Sequence, residues 1–104
     1  MSITTADIDS SNTDVYTSSG NTAITWASFT SSNASTVTVD IHVVPSGDSV
    51  GNTNLVANSV EIVGGDTYQL YAGGEKLLLE NGDKVTAVAN VANVVHSVIS
   101  YTSV

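Results

Sequence analysis

Two histidines and ten carboxylates, set among many serines, are the side chains of this 104-residue chain that could carry chemistry. His42 and His96 are candidates for a metal ligand or a general base, the first with Asp40 two residues before it. They belong to separate strand-like runs and lack the i, i+2 or i, i+4 spacing that places two ligands side by side. His42 also falls on the polar side of its run, where a solvated strand histidine is the plainer reading. Asp7, Asp9, Asn12 and Asp14 form an oxygen-rich stretch of the kind Ca²⁺ uses, since that ion takes about six to eight oxygen ligands. The stretch has neither the central glycine nor the terminal glutamate of an EF-hand loop. It reads as a solvated acidic segment, with docking on a basic partner surface as the alternative.

Glu61, Glu75 and Glu80 are candidates for the paired carboxylates of glycoside hydrolysis, but sequence spacing alone brings no two of them across a cleft. Serine abundance invites a Ser-His-Asp reading. No G-x-S-x-G elbow is present, and such a triad is defined by geometry that composition does not supply. Gly64-Gly65 and Gly73-Gly74 lack the lysine and the strand-to-helix setting of a phosphate loop and read as turns. The aromatic residues are Tyr16, Trp26, Phe29, Tyr68, Tyr71 and Tyr101. Tyr68 and Tyr71 would be the stacking platform of a sugar-binding module, but a spacing of three puts them on opposite faces of a strand, which favours a core role. On this reading no catalytic, cofactor-binding or metal-binding residue is assigned, and the chain is not expected to be an enzyme.

The elements that would position these groups are strands. Val, Ile and Thr dominate while Leu is scarce, and β-branched side chains pack well on a pleated surface. The clearest signal is Ser35 to Val44, where Val37, Val39, Ile41 and Val43 alternate with Thr36, Thr38, Asp40 and His42, giving one dry and one wet face. Further strands are expected near Val15, at Thr22 to Thr30, Leu55 to Val63, Thr67 to Tyr71, Glu75 to Leu79, Lys84 to Ala89 and Val94 to Val104. Turn clusters separate them, and Pro45 to Asn54 reads as a surface connection. Residues 1–14 are mostly Ser, Thr, Asn and Asp and read as an extended N-terminal arm, with 15–104 as the domain. The expected fold class is all-β, a single antiparallel β-sandwich, jelly-roll-like, of seven to eight short strands.

The bulk properties agree with one domain of this kind. There is no cysteine, so packing must supply the stability that disulfides or thiolate metal sites give elsewhere. The net charge of −8, with only Lys76 and Lys84 as strong cations, argues against nucleic acid as a partner, because phosphate binding rests on Lys and Arg. A hydrophobic fraction of 41% with only 12% charged residues excludes a disordered acidic tail. No basic-then-apolar start and no run of about 18 apolar residues occurs, so neither a secretory leader nor a membrane partner is expected, and assembly in a cytoplasm is.

Several segments together carry a family likeness: Thr22-Ala23-Ile24, the Asn33 turn, the Thr36 to Pro45 strand, Gly65-Asp66-Thr67-Tyr68, the run from Glu75 through Leu77-Leu78-Leu79 to Asp83, and Ser100-Tyr101. From about Val15 to Val104 the chain resembles the small β-sandwich virion structural proteins of tailed bacteriophages, which serve as capsid decoration or cement proteins or as neck or tail accessories. The resemblance implies a homo-oligomer, read as a homotrimer, that resides in the virion, contacts the major capsid protein or other virion subunits, and reinforces the shell without a cofactor. A neck or tail position, or a carbohydrate-binding or receptor-contacting module, is the alternative. The arm is where this chain departs from the family pattern, and Ser2 to Thr13 is expected to reach across to a neighbour. Its removal is then expected to leave a folded domain that no longer binds.

Overall fold

The computed structural model describes residues 2–70 and 76–104. Among these residues the β-branched runs form nine strands: β1 Ser2–Ile8, β2 Thr13–Thr17, β3 Thr22–Ser31, β4 Val37–Val44, β5 Leu55–Ile62, β6 Thr67–Gln69, β7 Leu77–Leu79, β8 Lys84–Ala89 and β9 Val95–Ser103. A 3-10 turn at Asn52–Asn54 is the one helical element among the described residues. Tyr71, Gly73, Gly74 and Glu75 lie outside them.

All strand pairs are antiparallel. The first sheet runs β1, β9, β3, β6, with β7 also paired to β3, and the second runs β2, β8, β4, β5. Because β9 follows β3 from Thr22 to Ser31, β6 at Ser28 to Thr30 and β7 at Thr22 to Ile24 must share the other side of β3. They are two halves of one interrupted strand. Counted so, eight strands pass between two sheets in the order of a jelly roll, with only β4 and β5 following each other within one sheet, as the residue pattern leads one to expect.

The inward faces of both sheets form one core. Ile8, Ile24, Phe29 and Ile99 come from the first sheet, and Val37, Val39, Ile41, Val85 and Ala87 from the second. Tyr68 packs against this core, as expected for it, and Tyr101 stacks on Tyr16 with ring centroids 4.5 Å apart. Gly64 holds one corner closed. A Cβ there would lie 2.6 Å from the carbonyl oxygens of Asn33 and Ala34, so only glycine permits the approach.

Two expectations need correction. The described part of the expected arm, residues 2–14, is not free, because Ser2 to Ile8 pairs residue by residue with β9 from Tyr101 to Val95, and Ile8 is fully buried. The segment looked too polar for this because it needs only one inward face, made of Thr4, Ala6 and Ile8, and only Ile8 lies deep. Removing Ser2 to Thr13 would therefore take away a strand and part of the core. The second correction concerns β4, whose polar side is not uniformly wet. Val37, Val39 and Ile41 are buried inward as expected, and the half-buried Val43 packs on the core. His42 and Val44 are also buried, on the opposite face, where the 3-10 turn packs against β4. Within the connection from Pro45 to Asn54 the 3-10 turn lies against β4, while Pro45 to Ser49 stay exposed.

Candidate functional site

The outer face of the first sheet collects the exposed groups most able to meet a partner. Residues opposite one another in register share a face, so the strand pairings define its rows. One row runs Thr102, Ala23, Leu78 and the next Ile3, Ser100, Trp26. Thr5, Val98, Ser28 and Gln69 follow, then Asp7, His96, Thr30 and Thr67. Ile3 is 69% exposed, Leu78 70% and Trp26 43%. These values matter because all three are large apolar groups on one face, Ile3 and Trp26 in one row with Ser100 between them and Leu78 in the next, and among the described residues the first three rows hold no ionisable side chain.

The polar end of the face brings together Asp7 and His96, which the sequence offered separately, with Ser32, which it did not single out. His96 Nδ1 donates to Asp7 Oδ1 at 2.7 Å, and His96 Nε2 lies 2.8 Å from Ser32 Oγ. The distances match those of a Ser-His-Asp triad. The surroundings do not supply the rest of that chemistry. A tetrahedral intermediate needs N–H donors aimed at its oxyanion, but the backbone N–H of Ser32 donates to Val94 O, that of Asn33 to Ser31 Oγ and that of Ala34 to Asn33 Oδ1. Ser32 Oγ also lies 3.3 Å from the Val94 carbonyl, so its one proton has two acceptors. With the side chains of His96 and Asp7 41% and 64% exposed, water competes for each contact. The arrangement works as a clasp that ties β1 and β9 to the end of β3.

The other sequence candidates are scattered. His42 lies in the second sheet, buried opposite Thr86 and Leu55 and far along the chain from His96. Asp40 Oδ1 accepts from the Ser59 N–H at 2.6 Å and holds Ser59 at a φ of 51°, which forms a bulge in β5. Beside it Thr38, Asp40, Ser59, Val88, Ala89 and Asn90 line an open depression of about 170 Å³. Sites that enclose a small molecule usually start near 300 Å³. Asp7 faces out from the first sheet, whereas Asp14 faces out from the second, where Lys84 Nζ lies 3.4 Å away. Asp9 Oδ1 accepts from the Ser10 N–H, and Asn12 is exposed in the connection between β1 and β2. The four oxygen donors therefore do not converge. Glu61 sits on β5, and Glu80 follows β7 in a turn where its N–H donates to Asp83 Oδ2. Glu75 is outside the described residues.

Sequence reasoning missed the apolar band, although its signal was available. Ile3 and Leu78 each occupy the solvent side of a strand whose alternate residues face the core. Comparison with known proteins gives this chain no matching family model, no matching curated protein and no matching solved structure.

Proposed function

We propose that this chain is a structural protein of a tailed-phage particle, one that decorates the assembled shell and reinforces it through the outer face of its first sheet. The observation that carries the reading is the band of Ile3, Trp26 and Leu78, exposed on a jelly roll that is otherwise strongly acidic. Adjacent exposed apolar groups on a folded domain mark an interaction surface more often than chance. The fold class is one that viral shells use, which supports the reading by analogy.

Mechanically, such a protein works by touching more than one shell subunit. Pulling the subunits apart would then expose the apolar contact to water, at about 25 cal/mol per Å² before ordering costs are subtracted. Many copies on one particle multiply a modest individual contact. A Trp26→Glu/Leu78→Glu double variant tests the surface. Both side chains face solvent, so the variant should fold with an unchanged circular dichroism spectrum. It should also lose co-sedimentation with purified particles, and undiminished co-sedimentation would rule out this face as the contact.

A further inference from the structure

We propose that β1 is a self-association strand, and that two copies of this chain join edge to edge through β1 into one continuous sheet across a two-fold axis. An edge strand presents unpaired N–H and C=O groups, and natural proteins guard such edges with bulges, short length, proline or charge. The edges of this jelly roll differ in how they are guarded. β5 carries two register shifts and the positive-φ Ser59, and it ends beside Glu61. β2 is bulged between Asp14 and Tyr16 and carries the Asp14 carboxylate. β6 and β7 are three residues each. β1 is neither bulged nor short and has no proline, since its seven residues pair with β9 without a break, and its one charge, Asp7, is held by His96. It spans roughly 24 Å at about 3.4 Å per residue.

A second copy fits this edge because an antiparallel β1 pair sets no two carboxylates opposite each other. At a net charge of −8 most faces of the molecule repel their own kind. The one ionisable group of β1 is Asp7, and it is already paired with His96. An antiparallel β1 pair centred on Thr4 or Thr5 keeps Ile3, Thr5 and Asp7 on the outer face in both copies and sets the two Asp7 residues at opposite ends. The row of Trp26, Ser100 and Ile3 then meets Thr5 of the second copy when the pair is centred on Thr4, and its Asp7 when centred on Thr5. A two-fold contact closes at two copies, so this inference puts a dimer where the family resemblance implies a trimer. It rests on the strand layout alone, and a particle protein that proved monomeric would sink it without touching the reading above.

Light scattering on the purified full chain over a dilution series, read together with single-cysteine variants, provides the test. The expected mass is twice the 10.7 kDa of one chain, falling to one chain in Thr5→Glu, whose exposed side chain meets its own copy or Ile3 across the axis. Trp26→Glu/Leu78→Glu, away from the edge, should keep the doubled mass. The chain has no cysteine, so a single one reports cleanly. Facing residues of an antiparallel pair have Cα atoms about 4.5 to 5.5 Å apart, within disulfide range. Thr4→Cys or Thr5→Cys should therefore oxidise to a covalent dimer, and Val56→Cys on β5 should not. A single-chain mass throughout, a three-chain mass, a doubled mass that survives Thr5→Glu, or cross-linking through Val56→Cys in place of β1 would each overturn the proposal.

Discussion

At the scale of single residues, the second sheet hides a polar pair that its packing does not satisfy. His42 and Thr86 face each other across β4 and β8, and within the described residues neither His42 Nδ1 nor Thr86 Oγ1 has a hydrogen-bond partner. A buried hydroxyl without a partner carries its full desolvation penalty, whereas a methyl of similar shape does not. Thr86→Val should therefore raise stability by about 1 kcal/mol in urea unfolding. The Ser32, His96 and Asp7 chain calls for the opposite substitution logic. His96→Ala should lower stability by no more than about 1 kcal/mol, as expected for exposed paired groups. Ser32 should stay unlabelled by a fluorophosphonate probe, and labelling that disappears in His96→Ala would show a nucleophile and not a clasp. Little of this cluster was legible in the sequence. Asp7 and His96 are 89 positions apart, Ser32 and His96 are 64 apart, and neither pair has a local motif.

At the scale of elements, the strands were legible wherever one face is dry. Val37, Val39 and Ile41 alternate with Thr38 and Asp40, and the run folds as that period requires. Past Ile41 the pattern misleads, because His42 and Val44 are buried on the face that the alternation marks as wet, and no local period records that burial. β1 is the larger miss, since Ser, Thr and Asp made it look solvated while Ile8 alone anchors it in the core. The two isoleucines of β1 separate its roles. Ile8→Ala should cost about 2 to 5 kcal/mol, as for large-to-small changes in a packed core. Ile3→Ala, at an exposed position, should stay within about 0.5 kcal/mol in the monomer. Thermal unfolding of the two variants side by side checks the contrast, and equal effects would mean that β1 is not seated as described.

At the scale of the whole molecule, the fold follows from composition and the function does not. A chain rich in β-branched residues, with turns every few residues and no cysteine, closes into two sheets that bury one continuous core. Two sheets leave two outer faces, and these differ in what they offer. The 3-10 turn lies against part of the second, which still exposes Val56, while the first carries a band without charge among the described residues. That asymmetry arises only when register sets Ile3, Trp26 and Leu78 near one another, so the candidate surface emerges at this scale. The proposed place in a phage particle is tested most directly by quantitative mass spectrometry of particles purified from the source of this chain, with the chain located in images of the same particles. The account expects the intact chain in multiple copies, seated on the shell with the outer face of β1, β9 and β3 turned toward it. Particles that lack the chain, with all of it recovered free in the lysate, would contradict the account.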